Sequence, residues 1–169
     1  MTGFAAPFYS RASLLMTRAI LIFLATGAYI GFVPYAPGTA GSVLGLVLAW
    51  AALKDVGSHV WLAVAAFICV FILACWIAQR AQTILGRHDS PHIVLDEVLG
   101  MIATMFLNPL DWIHLLIGFA LFRLFDIVKL PPANIFDRKV RGGAGVMLDD
   151  LAAAVYANIA LRFVAHLIV

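Results

Sequence analysis

Seven of the nine acidic residues in this chain fall in three short stretches. Asp89, Asp96 and Glu97 lie in "HDSPHIVLDEVLG", Asp126 and Asp137 in "RLFDIVKLPPANIFD", and Asp149 and Asp150 in "GVMLDDLAAA". Asp55 and Asp111 sit in short turns. A carboxylate costs about 2.5–3.5 kcal/mol at the centre of a spanning helix, so acids beside apolar runs need a chemical reason. Connectivity supplies one. A helix starting at Ser90 leaves one membrane face with Asp96 and Glu97 in its first two turns. A helix from Trp112 returns with Arg123, Asp126 and Lys129 in its last two turns, spaced three apart and so on one side. The final helix leaves again with Asp149 and Asp150 at its start, and the helix before Ser90 delivers Arg80 to the same face. Carboxylates from three helices thus reach one depth, where they repel one another unless something positive sits between them. A hard divalent cation such as Mg²⁺, which takes oxygen ligands and keeps room for phosphate oxygens, is the simplest candidate.

Each acid also has a plainer use. Asp149 and Asp150 could cap the last helix and complement its dipole. Asp96 and Glu97 could pair with Arg80 or Arg123, and Asp126 with Arg123 and Lys129 in its own helix. Asp89 and Asp137 read as loop residues. The coincidence on one face favours the metal over these separate roles.

A second ingredient is "PGTAGS", Pro37 to Ser42, which opens an apolar helix. Small residues let backbone approach a ligand, and the N–H groups of a helix start bind phosphate. "VRGGAGV" is a second flexible approach, ending at the Asp149–Asp150 pair. Metal, phosphate-binding backbone and cations at a membrane surface suggest chemistry on a phosphorylated lipid. Other phosphatase signatures are missing: Cys75 is followed six residues later by Ala81 rather than Arg, and no Asp-x-Asp pair occurs.

The elements that must position these residues are apolar helices. The 169 residues are 64% hydrophobic and 12% charged, with a mean hydropathy of +1.02. Soluble domains average about 25% charged residues, so an integral membrane protein is expected. Cys69 and Cys75 share one apolar run without metal or redox spacing and read as small buried hydrophobes. The N-terminal stretch loosely resembles a signal peptide but lacks a clear cleavage site, so it is expected to remain in the mature chain. The pattern predicts helices from about Ala19 to Val33, Ser42 to Leu53, Val60 to Gln79, Ser90 to Leu107, Trp112 to Lys129, and from near Val146 to the end. "PPANIFDRKVRGGAG" reads as a loop. The expected fold is all-α: one domain over residues 1–169, a polytopic integral membrane helical bundle with an N-terminal re-entrant or short helix pair and a cytoplasmic segment 1–18.

The segments "VPYAPGTAGS", "HDSPHIVLDEVLGM" and "FRLFDIVKLPPANIFDRKVRGGAGVMLDD" resemble the phosphatidylglycerophosphatase A family, from about Gly27 onward. Leu-Pro-Pro follows Lys129 where the family has Pro-Trp-Pro, and no glycine follows the double Asp. The resemblance implies a magnesium-dependent membrane phosphatase that removes the terminal phosphate of phosphatidylglycerophosphate in the bacterial inner membrane. By motif, Glu97, Asp126, Asp149 and Asp150 hold one or two Mg²⁺, and Asp96 is a ligand or the base. Arg123 and Lys129 neutralise phosphoryl charge. Gly38, Thr39, Gly41 and Ser42 form a phosphate loop, with Arg80 as a further substrate contact and Thr39 or Ser42 as an alternative nucleophile to water. The excess of Arg and Lys on the site face, Arg80, Arg87, Arg138, Lys139 and Arg141, places that face in the cytoplasm. The expected partner is phospholipid, with no nucleic acid and no obligatory protein. The competing class is an ion-coupled transporter or channel subunit, which would spread its acids through the membrane depth.

Overall fold

The computed structural model describes residues 11–87, 90–140 and 142–168, without the side chains of residues 58, 137, 138 and 168. Asp89, Arg141 and the side chains of Asp137 and Arg138 therefore lie outside the described residues. Among those described, every regular element is helical: α1 (Arg11–Ala25), α2 (Pro37–Leu53), α3 (Val60–Leu85), α4 (Leu95–Met105), α5 (Trp112–Val128), α6 (Ala133–Lys139) and α7 (Gly143–Ile168).

Two helices, α3 and α7, are long and apolar enough to cross a membrane. Each has 26 residues, or about 39 Å at 1.5 Å per residue, against a hydrocarbon core of about 30 Å. α3 leaves Trp61, Leu62, Ile72 and Leu73 exposed, a face that suits lipid better than water. α1, α2 and α5 have 15, 17 and 17 residues, shorter than a perpendicular span.

Several boundaries differ from the sequence expectation. α1 begins at Arg11 and stops at Ala25, because Gly27, Ala28 and Tyr29 take positive φ and turn the chain. α2 starts at Pro37, so "PGTAGS" forms its first turns rather than a loop before it. α4 starts at Leu95, five residues after Ser90. The Val94 N–H donates to Ala25 O at 3.0 Å, which joins the stretch before α4 to the end of α1 instead of extending the helix backward. With 11 residues α4 is too short to span by itself. Residues 133–139 form α6 where a loop is expected.

α4 is the buried centre. Val98, Leu99, Met101, Thr104 and Met105 are all enclosed, with α2, α5 and α7 packed around them. The stripe Gly41, Gly45 and Ala49 lets α2 lie directly on α4, as small residues do between membrane helices. A Cβ at Gly45 would come 2.7 Å from Val98 O and 2.8 Å from Met101 Cβ.

The far end of α4 is closed by α7. Asn158 Nδ2 donates to Ala103 O, Thr104 O and Phe106 O at 3.1, 2.9 and 2.9 Å, and its Oδ1 accepts from Arg162 Nε at 2.9 Å. Helix C-termini leave carbonyls unsatisfied, and in lipid those have no water to turn to. Asn158→Leu is expected to destabilise the protein by about 1–3 kcal/mol, a Tm lower by several degrees in detergent-solubilised thermal unfolding. An unchanged Tm would show that these bonds do not hold α4 and α7 together.

Candidate active site

The sequence-predicted acids meet. A cavity of about 390 Å³ is lined by Asp96 and Glu97 from α4, Asp126 from α5, and Asp149 and Asp150 from α7. Arg123 and Lys129 line it too, as do Gly38 and Thr39 of α2. Oxygens of Asp96, Glu97 and Asp150 all lie within 4.8 Å of one another. α4 and α7 both begin at this end of the bundle, so residues from the first turns of each are brought to the same level.

The other described charged residues of the cavity lining are paired around this trio. Arg123 Nη1 donates to Asp126 Oδ2 at 2.7 Å and to Ser42 Oγ at 3.4 Å. Lys129 Nζ donates to Asp149 Oδ2 at 2.7 Å. Lys129 has φ 49°, a left-handed conformation uncommon for a residue with a side chain, and it ends α5. Its amine reaches across to Asp149 of α7. The expected metal set of Glu97, Asp126, Asp149 and Asp150 lines this one cavity together with Asp96. Asp96 joins Glu97 and Asp150 in the tight group, and Asp126 and Asp149 are tied to cations.

The donor set fits a hard cation. Among the described residues, five carboxylates and two cations line the cavity. Among the described residues, buried Glu97 Oε2 and Asp150 Oδ2 meet no hydrogen-bond donor. A buried anionic oxygen without a partner is costly, and a divalent ion would satisfy both at once. Opposite ligands of Mg²⁺ lie about 4 Å apart, so three oxygens gathered this closely can share one ion.

The α2 start presents backbone. Pro37 occupies the first helical position, so the next two N–H groups, of Gly38 and Thr39, precede the intrahelical ladder that begins with Ala40 N to Ala36 O at 3.1 Å. Both residues line the cavity. Gly38 faces Glu97 so closely that a Cβ would strike its Oε1. Gly41 and Ser42, expected in the same loop, play other parts. Gly41 packs on Val94, where a Cβ would meet Val94 Cβ at 2.7 Å. Ser42 is buried, donates to Gly38 O at 3.0 Å and touches Arg123. Arg80 is placed outside the cavity lining, with its guanidinium 5.6 Å from the ring centroid of Trp76. The i, i+4 spacing of these two residues on one helix is the signal for that stacking.

Gln79 has a role that sequence reasoning did not find: its Oε1 accepts from Gly143 N at 2.8 Å and seats the start of α7 against α3. No local pattern announces a contact across 64 residues. Ala36, which caps α2 at φ 49°, is equally silent, since alanine seldom takes that conformation.

Comparison with known proteins identifies the family. The family model for phosphatidylglycerophosphatase A matches residues 23–165. A Haemophilus influenzae protein named phosphatidylglycerophosphatase A is 41% identical over 137 residues, 80% of this chain and 83% of its own. An Escherichia coli protein of the same name is 37% identical over 145 residues, 85% and 82% of the two chains. A Bacteroides thetaiotaomicron protein, provisionally named phosphatidylinositol-3-phosphatase, is 34% identical over 82% of this chain and 89% of its own. No solved structure gives a significant match. The matched span contains α2, α4 and α5 whole, with the start of α7, and so every acid of the cavity; the chain belongs to the phosphatidylglycerophosphatase A family.

Proposed function

We propose that this chain is a Mg²⁺-dependent membrane phosphatase that hydrolyses the terminal phosphate of phosphatidylglycerophosphate, giving phosphatidylglycerol and inorganic phosphate. The observation that carries the reading is the trio Asp96, Glu97 and Asp150 beside Arg123 and the α2 N-terminus. Five carboxylates and two cations line the cavity among the described residues, a balance that disfavours a dianionic phosphate and that a metal would reverse. Asp96, Glu97 and Asp150 would hold Mg²⁺, which when bound supplies positive charge to the phosphoryl oxygens. The N–H groups of Gly38 and Thr39 and the guanidinium of Arg123 hold and orient those oxygens. Ser42 and Asp126 fix Arg123 in that position. Lys129, fixed by Asp149, adds charge at the rim. Water entering the cavity bonds to phosphorus as the bond to the glycerol oxygen breaks, and a proton given up by that water ends on the departing glycerol oxygen.

Location follows the same logic. The family acts on lipid by name, α3 and α7 are membrane-length, and α1 and α2 are short. These features support a multi-pass bundle in the bacterial inner membrane, with α1 and α2 as a re-entrant or short helix pair. Arg87 and Lys139 near the cavity end support a cytoplasmic active site. The acids gather at one end of the helices rather than along their length, which favours the hydrolase over an ion path.

The purified protein in mixed micelles, given a panel of lipid phosphates, is expected to release phosphate fastest from phosphatidylglycerophosphate. EDTA should stop release and excess Mg²⁺ restore it. A faster rate on phosphatidylinositol 3-phosphate would move the assignment to that head group, and EDTA-resistant release would remove the metal.

A further inference from the structure

Resting on that reading, we propose that the Ser90 hydroxyl binds the free hydroxyl of the head-group glycerol and so makes the cavity selective for a glycerol between two phosphates. Among the described residues, the cavity lining has two uncharged polar side chains, Thr39 and Ser90. Thr39 lies in the first turn of α2, with the N–H groups assigned to the phosphate. Ser90 comes from the approach to α4. The rest of the lining from that approach, and from the approach to α7 and its first turn, includes the apolar Pro91, Ile93, Val140 and Val146. Ser90 is 5% exposed. Its Oγ accepts from His92 N at 3.5 Å, the outer limit of a hydrogen bond, and its proton meets no acceptor among the described residues. A buried hydroxyl seeks a partner for its proton, and a ligand in the cavity can supply one.

The segment that carries Ser90 is fixed from outside the cavity. Ile93 N donates to Ser90 O at 3.0 Å and closes a turn, with Pro91 at the second place where its set φ suits. His92 Nδ1 lies 2.9 Å from Gly31 O, and its ring stacks on Phe32 with centroids 4.6 Å apart. Val94 N donates to Ala25 O at 3.0 Å. These contacts tie residues 92–94 to the turn after α1, and none of them uses the Ser90 hydroxyl. The substrate has the matching parts. Between its terminal phosphate and its phosphodiester lie two methylenes and one CH–OH, so an apolar wall bearing one hydroxyl covers the carbons and meets the single polar group. An inositol ring presents several hydroxyls, most of which this wall would leave unpaired. Gln82 is also buried with both amide atoms unpartnered, but it lies outside the cavity lining.

The test changes the lipid and the side chain together. Phosphate release in mixed micelles with Mg²⁺ is measured from phosphatidylglycerophosphate and from its deoxy analogue, in which propane-1,3-diol replaces the glycerol and the acyl chains are identical. The parent is expected to lose about fivefold to tenfold in kcat/KM on the analogue, the worth of one hydrogen bond. Ser90→Ala should lose a similar factor on the natural lipid and little more on the analogue, so that it no longer tells the two apart. Ser90→Thr keeps a hydroxyl and should keep the preference. A parent that uses both lipids equally would overturn the contact without any variant having to fold. So would Ser90→Ala lowering both rates alike, the mark of a turn that only shapes the chain.

Binding separates this contact from the reaction. The methylene-phosphonate analogue of phosphatidylglycerophosphate, which cannot release phosphate, is titrated against the purified protein with and without its glycerol hydroxyl. The parent should bind the hydroxyl form more tightly by a similar factor, and Ser90→Ala should bind both forms equally. If neither lipid released phosphate while that Ser90-dependent preference persisted, the contact would stand and the hydrolase reading would fall. Binding by the parent with no preference would sink the contact, whatever the rate of release.

Discussion

Asp150→Asn is expected to cut phosphate release by a factor on the order of 10³, the largest loss of any single change in this protein. The reason is position. Asp150 is buried, one of its oxygens meets no donor among the described residues, and its carboxylate lies within 4.8 Å of those of Asp96 and Glu97. Asn keeps the shape and removes the negative charge. Without metal, the variant should be at least as stable as the parent, since one repulsion among crowded acids is gone. With Mg²⁺ the order should reverse. A ligand at a hundredfold over its Kd stabilises the folded state by about 2.7 kcal/mol, and only the parent should show the full rise in Tm. Thermal unfolding in EDTA and in Mg²⁺, with phosphate release on the same preparations, separates the two effects. Near-normal release would remove Asp150 from the site. A variant Tm below the parent's when both are in EDTA would show that the cluster holds the fold together instead.

That crossing of stability and activity follows from how the site is built. The acids are not scattered over a polar surface but crowd at the ends of helices whose remaining residues are apolar. α4 carries Asp96 and Glu97 in its first turn and is enclosed almost everywhere else. α7 carries Asp149 and Asp150 while Ala153, Ala154 and Ala157 pack inward. Close packing of α2 and α7 on α4 leaves the carboxylates little freedom to move apart. Repulsion held by packing is what a cation relieves, and it prepares a place for the charge of a phosphate.

The sequence carried the depth of the acids but not their pairing. Counting apolar runs brought Asp96, Glu97 and Asp150 to one level, because hydropathy and helix direction are both one-dimensional facts. Lys129 is expected from the sequence to meet phosphoryl oxygens, and the left-handed turn that brings it to Asp149 has no signature in a lysine. Ser90-Pro91 has the chemistry of a helix start, yet a hydrogen bond from Val94 N to Ala25 O, between residues 69 apart in sequence, delays the helix to Leu95. α6 was hidden for a different reason: seven residues after two prolines are too few to show a period. Gly41 and Gly38 look alike in "PGTAGS", and only the packing distinguishes the glycine that seats a helix from the one that faces the acids.

Gly38→Ala should lower phosphate release by about 100-fold while leaving the fold intact. The added methyl would strike Glu97 Oε1, the far end of a side chain, so the carboxylate moves and the helices stay. Alanine also suits a helix better than glycine by about 0.8–1 kcal/mol, which offsets part of the crowding. Glu97 displaced by an ångström no longer shares an ion with Asp96 and Asp150, and the loss should appear as a weaker response to Mg²⁺ as well as a lower rate. Gly45→Ala is the contrasting change on the same helix. Its methyl would meet Val98 O at 2.7 Å and Val98 Cα at 2.9 Å, which are backbone atoms of α4 that cannot swing aside. That variant should lose stability first, with release per folded molecule less affected. Shortening the acid in the double variant Gly38→Ala with Glu97→Asp gives the methyl room, and part of the rate should return, a coupling that neither single change shows. If Gly38→Ala released phosphate normally, or lost Tm as Gly45→Ala does, the start of α2 would be a packing element and the phosphate-binding role of its N–H groups would fall.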